Sequence, residues 1–172
     1  IPVLNEANWL RTRVESLQPW RTDGHEIIVV DGGADDNSAA VLGGLTDHWL
    51  QAPAGRASQM NVGALEARGD ILLFLHVDTE LPENAPRLIV DSLASSDRCW
   101  GRFDVRLDCH RPVFALIARA MNLRSHLTGV ATGDQAIFVR RELFNRLNGF
   151  ADIPLMEDIE ISKRLRGHGW PV

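Results

Sequence analysis

The apolar residues of this chain fall into short blocks that alternate with stretches of helical spacing. Residues 1–4 read as a strand, with Pro2 tolerable near its start. Trp9, Leu10, Val14 and Leu17 then recur at helical spacing, which predicts a helix over 6–17 with Asn5 as its N-cap. Residues 26–31 form a second apolar strand, broken by Gly32-Gly33, and Asp35 to Ser38 open a short helix that ends near Gly43-Gly44. A weak third strand covers 48–51, and 53–56 is a loop. Residues 57–68 read as helix, with Met60, Ala64 and Ala67 on one stripe and Gly69 as the stop. Five consecutive apolar residues, 71–75, are too few for a membrane span and suit a strand buried on both faces.

Downstream, 84–95 reads as helix with Pro86 in its first turn, 99–107 alternates as a strand does, and 111–127 is a long amphipathic helix. A small-residue loop over 129–134 leads to a strand at 136–139, a short helix at 141–147 and a last helix at 157–166. The first half thus repeats strand–helix four times, which predicts an α/β fold with a mostly parallel central sheet and helices on both faces. Residues 1–4, 26–30 and 71–75 are expected as parallel neighbours whose C-terminal ends open on one cleft.

Polar groups gather where these strands end. Asn5-Glu6 follow the first, Asp31 to Asp36 the second, and His76, Asp78 and Glu80 the central one, before Pro82 forbids a simple continuation. In a parallel sheet those ends share an edge, the usual ligand edge of open α/β sheets. Asp78 offers the oxygen donor that a hard divalent cation takes; as a bland alternative it caps the next turn and His76 is a surface residue. Asp35 and Asp36 suit a glycine turn, whereas Asp31 directly follows four apolar residues. Arg56, just before a helix, is either a solvated helix-start arginine or, with the free N–H groups there, a diphosphate holder. Gly133-Asp134-Gln135 reads equally as a turn or a substrate contact. Glu157 and Asp158 complement a helix dipole in one reading and supply a general base in the other.

Composition narrows the field. The 172 residues suit one domain with a proper core, with 45% hydrophobic and 24% charged residues. A net charge of −5 argues against nucleic acid as a partner and against broad binding to anionic membranes. Cys99 and Cys109 match no zinc pattern and read as reduced thiols. Neither a signal peptide nor a run of about 18 apolar residues occurs, so membrane association is expected only through segments outside this sequence. Both ends read as cut through structure. No Gly-x-Gly-x-x-Gly follows the first strand and no Gly-x-x-x-x-Gly-Lys, His-Glu-x-x-His or Gly-x-Ser-x-Gly occurs, which argues against dinucleotide oxidoreductases, P-loop nucleotidases, zincins and serine hydrolases.

Taken in order, Pro2 to Glu6, Val29 to Gly33 with Asp36, Gly55-Arg56 with Asn61 to Gly63, Phe74 to Asp78, and Gly149-Phe150 followed by Glu157-Asp158 resemble family 2 glycosyltransferases of the GT-A fold. The resemblance runs over essentially the whole chain, with a nucleotide-binding half near 1–80 and an acceptor half near 81–172. Gly133-Asp134-Gln135 and Pro154 to Asp158 resemble the compact bacterial subgroup of radical-SAM/selenodomain-associated transferases.

This resemblance implies inverting transfer of a sugar from a nucleotide diphosphate donor to an acceptor hydroxyl, in the cytoplasm or at the inner face of the membrane. It implies a donor site at Pro2, Asn5, Glu6, Asp31, Gly32, Arg56, His76 and Asp78, with Mn²⁺ or Mg²⁺ on Asp78. It assigns the general base to Asp158 beside Glu157, and an acceptor side to Asp134 and Gln135. Two positions depart from the family pattern. His76 replaces the first acid of Asp-x-Asp, and Gly32 replaces the second acid of the usual Asp-Asp pair, which can read the uracil edge in relatives. A nucleotidyltransferase is the first rival, disfavoured because Asn5 to Asn8 replaces the Gly-rich, basic loop it carries after its first strand. A non-catalytic sugar-nucleotide-binding domain is the second.

Overall fold

The structure, a computed structural model, describes residues 1–33, 42–109 and 111–172. The start of the short helix expected at Asp35 to Ser38, and with it Asp36, lies outside the described residues, as does His110. Strands β1 (Pro2–Val3), β2 (Ile28–Asp31) and β3 (His48–Gln51) form a parallel ladder in the order β1-β2-β3. Its register pairs Val3 with Asp31 and Asp31 with Gln51, so all three strands finish on one edge. Strands β4 (Ile71–Leu73), β5 (Trp100–Gly101) and β6 (Phe138–Arg140) form a second, antiparallel ladder in the order β4-β6-β5. The helices are α1 (Ala7–Ser16), α2 (Gln18–Thr22), α3 (Arg56–Glu66), α4 (Ala85–Ala94), α5 (Pro112–Thr128), α6 (Arg141–Arg146) and α7 (Glu157–Arg166), with a 3₁₀ turn at Gly133–Gln135.

One expected pairing is corrected. β1 and β2 are parallel neighbours, but β4 pairs antiparallel with β6, Ile71 opposite Arg140 and Leu73 opposite Phe138. The Phe74 N–H to Ile137 carbonyl bond (2.9 Å) carries that pairing one residue further. A continuous apolar run announces burial on both faces but says nothing of the neighbour's direction. A cavity of about 810 Å³, lined by Ile28 and Val30 on one side and Ile71 and Leu73 on the other, separates the two ladders. The strand expected over 99–107 shrinks to Trp100–Gly101, and the one expected at 136–139 begins only at Phe138. Ala136, with a φ of 47°, turns the chain just before β6, and the Arg102 N–H turns from β6 to the Val172 carbonyl (3.3 Å) just after β5. Phe103 then donates to the Gln135 carbonyl (2.7 Å), beyond that turn.

The expected cap of the first helix also moves. Glu6 stands at the N-cap, its carbonyl accepting from Trp9 and Leu10, and Asn5 adopts a left-handed φ of 57° one residue earlier. The helix stops at Leu17, and α2, which periodicity did not announce, follows with Pro19 in its first turn.

Two apolar clusters hold these layers together. Val3, Leu10, Val14, Val29, Leu75 and Val77 join α1 to β1, β2 and the exit of β4. Met60, Leu72, Trp100, Val139, Phe144 and Ile161 join α3, α6 and α7 to the antiparallel ladder. α5 departs from this logic: Ala118 and Ser125 are its buried residues, while Leu116 and Leu127 are 66% and 70% exposed. Cys99 and Cys109 are free thiols, as the sequence led one to expect.

Asp47 ties the first ladder to α2, accepting the Ile27 N–H at 2.8 Å and the Arg21 guanidinium at 2.9 Å. Burial alone would raise its pKa, but these two partners outweigh it and hold the carboxyl below its ordinary 3.8. Asp104 is likewise held down, burial being outweighed by Arg102 and His126. A carboxylate depressed in the folded state stabilises above its unfolded pKa, and loses that contribution as pH falls through the folded value. Thermal unfolding should therefore be insensitive to pH near neutrality on this account and drop below pH 3.8. Asp47→Asn should flatten that acid slope; an unchanged slope would place the acid sensitivity elsewhere.

Candidate active site at the strand edge

The C-terminal edge of the parallel ladder carries the first group of candidates. Asp31 closes β2, is 5% exposed, and accepts the Gly33 N–H at 3.2 Å. Gly32 donates to the Val3 carbonyl at 2.9 Å, which ties the end of β2 to the end of β1 beside buried Pro2. Glu6 turns back toward β1, its carboxylate 3.4 Å from the Leu4 N–H, and Asn5 is exposed.

A side chain that sequence reasoning passed over fixes this edge. Gln59 of α3 is 2% exposed and donates to the Val3 and Val30 carbonyls at 2.7 and 2.8 Å. A Cβ on Gly32 would lie 3.1 Å from the Gln59 amide, so glycine at position 32 is the packing partner of that clasp. Gly63, one turn further along α3, lets the helix approach β2; a Cβ there would lie 3.1 Å from Val30. α3 therefore runs back along β2 from the edge, and Arg56, exposed in its first turn, stands over the strand ends. In sequence the only hint was an amide beside an apolar stripe.

The exit of β4 reaches the same edge. Val77 packs in the cluster of Val3 and α1, and Arg13 of α1 donates to the Val77 carbonyl at 3.1 Å. Thr79 N–H closes a turn onto the His76 carbonyl at 3.1 Å. This turn buries His76 (8% exposed) and leaves Asp78 exposed, with no hydrogen bond or ion pair among the described residues. No three His, Cys, Asp or Glu side chains come together as a ready metal site among the described residues. A lone, accessible carboxylate still fits a hard cation that completes its shell with substrate phosphates and water.

The third group assembles around the Gly133–Gln135 turn. His76 Nδ1 lies 3.8 Å from Asp134 Oδ1. The nearby His76 ring holds the Asp134 carboxyl below its usual range, partial burial opposes, and the Arg56 charge adds. Asp158 reaches the turn from α7, its Oδ2 accepting the Gly133 N–H at 2.7 Å and its Oδ1 the Ile159 N–H at 2.7 Å. Gln135 is fully buried, its amide bonded to the Thr132 N–H and the Phe103 carbonyl, so it frames the turn rather than lining an acceptor surface. Glu157 is 6% exposed and makes no hydrogen bond or ion pair among the described residues. Asp158 braces the neighbouring Gly133–Gln135 turn.

Asn61 supplies a further connection that the sequence did not reveal. Its amide clasps Phe150, donating to the carbonyl at 2.9 Å and accepting from the N–H at 2.8 Å. The loop leading to α7 is thereby fastened to the helix that carries Arg56 and Gln59. Gly149 makes room for this clasp, since a Cβ there would lie 2.4 Å from Asn61 Oδ1. His76, Asp134 and Asp158 thus meet around one turn, with the Arg56 charge acting on Asp134, while Asp31 and Asp78 stand at strand exits.

Known proteins share this architecture. A mannosyltransferase from Pyrobaculum calidifontis, solved with GDP-Man and Mn²⁺, superposes with a TM-score of 0.76 at 19% identity, covering 99% of this chain and 51% of that one. Glucosyl-3-phosphoglycerate synthase from Mycobacterium tuberculosis, solved with Mn²⁺ and UDP-glucose, superposes with a TM-score of 0.60 at 20% identity, covering 83% and 55%. By sequence, the chain is 39% identical over 77 residues to an uncharacterized glycosyltransferase of Mycobacterium tuberculosis, 42% of this chain and 29% of the relative. It is 23% identical over 171 residues to the beta-monoglucosyldiacylglycerol synthase of Synechocystis, 87% of this chain and 35% of that protein. The chain spans about a third of the length of these curated relatives. The glycosyl transferase family 2 model matches residues 1–144, and the chain belongs to that family.

Proposed function

We propose that this chain transfers a sugar, with inversion, from a nucleotide diphosphate donor to an acceptor hydroxyl. The observation that carries the reading is the delivery of exposed Asp78 to the strand edge where Asp31 lies buried and Arg56 opens α3. Pro2, Asn5, Glu6, Asp31 and Gly32 then surround the nucleoside, and Arg56 with the first N–H groups of α3 holds the diphosphate. Asp78 holds Mn²⁺ or Mg²⁺, which, when bound, offsets the negative charge gathering on the departing diphosphate. Asp158 takes the proton of the attacking hydroxyl, with Glu157 beside it and Asp134 on the acceptor side. Gly133-Asp134-Gln135 and Pro154 to Asp158 favour the compact subgroup of radical-SAM/selenodomain-associated transferases.

Gly32 bears on nucleobase choice. An acid at this position would crowd the Gln59 amide, which would have to give by a few tenths of an ångström, so the clasp that joins β1 to β2 favours glycine over the carboxylate that reads uracil elsewhere in the family. Solved relatives hold GDP-Man and UDP-glucose, so the fold admits either base. Guanine should therefore be accepted as readily as uracil, and strong UDP selectivity in competition among nucleoside diphosphates would reveal another reader.

Two measurements test the function. Incubation of a nucleotide-sugar panel with Mn²⁺ or Mg²⁺ should release free nucleoside diphosphate; binding without release across the panel would favour the non-catalytic reading. In titration calorimetry, Asp78→Ala should remove the metal-dependent part of donor binding while leaving metal-free nucleotide binding in place. If metal dependence persists in that variant, the ion is held by other groups.

A further inference from the structure

Helix α5 wears its apolar side outward. At about 100° per residue, Leu123, Leu116, Leu127, Val113 and Ile117 fall within one arc of about 120°. All five are exposed, from 43% at Ile117 to 70% at Leu127. The opposite side is where the helix is held. Ala118 and Ser125 are buried there, and Asn122 clasps Val105, donating to its carbonyl at 2.9 Å and accepting its N–H at 2.8 Å. Hydrogen bonding and small residues thus anchor α5, while Leu116, Leu123 and Leu127 stand mostly outside the core. Contiguous exposed apolar surface of this kind marks a contact with something apolar outside the molecule.

Charge identifies what covers it. Arg111, Arg119 and Arg124 are exposed along this segment, and no Asp or Glu occurs from Cys109 to Gly133, although the whole chain carries −5. Asp104, which reaches the helix through His126, is already paired with Arg102. At the C-terminal end of α5, Arg166 donates to the Thr128 carbonyl at 2.6 Å, and the half-exposed Trp170 ring lies against Gly129. A second copy docked through this face by a twofold axis would bring Arg119 and Arg124 of both copies into one interface with no acid on the helix to answer them. A bilayer surface with anionic headgroups meets every requirement. The leucine arc enters the boundary between headgroups and acyl chains, while Arg124 within the arc and Arg119 at its margin extend to the phosphates.

We propose that α5 is an in-plane anchor that docks this protein on anionic lipid surfaces. No helix among the described residues is long and apolar enough to cross a membrane, so the contact is peripheral. The inference does not depend on glycosyl transfer.

Co-sedimentation with phosphatidylcholine vesicles, with and without about 30% phosphatidylglycerol, is the test. The protein should pellet with the anionic vesicles and much less with the neutral ones, and raising ionic strength from about 0.05 to about 0.5 M should weaken binding. Leu116→Glu/Leu123→Glu should lower the partition coefficient by about tenfold or more with an unchanged melting temperature, because both side chains are already exposed. Arg119→Gln/Arg124→Gln should remove the preference for anionic over neutral vesicles while keeping every apolar side chain of the arc. Absence of pelleting with anionic vesicles, or equal pelleting of the double glutamate variant, would overturn the proposal. So would a dimer in analytical ultracentrifugation that the glutamate variant dissolves, since the arc would then be a contact between copies.

Discussion

Asp158→Asn should lower kcat by about 10² or more while leaving donor binding nearly intact, as removal of a general base does. Both acids of the Glu157-Asp158 pair lie in the first turn of α7, and adjacent helical residues point about 100° apart, so they do different work. Asp158 reaches the Gly133–Gln135 turn, where His76, Asp134 and, through its charge, Arg56 also meet. Its two oxygens each accept one backbone N–H and keep further lone pairs for a substrate proton. The asparagine amide would face at least one of those N–H groups with a donor, at a cost of about 1–3 kcal/mol if that group is left unpaired. Stability must therefore be read beside kcat. A fall in kcat at temperatures where the variant remains folded, with calorimetric donor affinity unchanged, identifies the base. Near-normal kcat in Asp158→Asn with loss of turnover in Glu157→Gln reverses the assignment. If both variants turn over normally, Asp158 only braces the turn.

Gly133→Ala should destabilise the protein by about 1–3 kcal/mol, the usual cost of overpacking. A Cβ at this position would lie 2.2 Å from Cε1 and 2.6 Å from Nε2 of His76, a ring that is itself buried and cannot simply swing into solvent. Either the ring leaves Asp134 or the turn recedes from Asp158, so activity should fall together with stability. For a chain of this size each kcal/mol moves the melting temperature by about 2–4 °C. The decisive measurement is a double-mutant cycle. His76→Ala opens the space that the new methyl needs, so Gly133→Ala/His76→Ala should be more stable than the sum of the two single changes allows. Strict additivity, or a Gly133→Ala protein that melts like the parent, would mean that the turn yields freely and does not set the position of Asp158.

How much of this could be read beforehand is clearest at individual elements. The Leu10 and Val14 spacing announced α1 and the Met60 and Ala64 stripe announced α3, because an amphipathic period records local geometry and burial together. The polar exits of β2 and β4 were legible because an apolar run ends at each, at Asp31 and at His76 to Asp78, although Asp31 and His76 stay buried and only Asp78 is exposed. By itself the sequence determined the strand–helix alternation of residues 1–80, the polar residues that follow its strands, and the family to which the chain belongs. Only the tertiary structure decided that β4 runs against β6, because a strand buried on both faces carries no mark of its neighbour's direction. It also decided that Ala136 turns the chain ahead of β6, that Gln59 closes over Gly32, and that Asp158 meets Gly133. Each of those is a contact between positions distant in the chain or a backbone state forced by them, and periodicity, being local, contains neither. The outward face of α5 is the plainest case: the pattern showed that the helix had an apolar side, and only packing could show which way that side points.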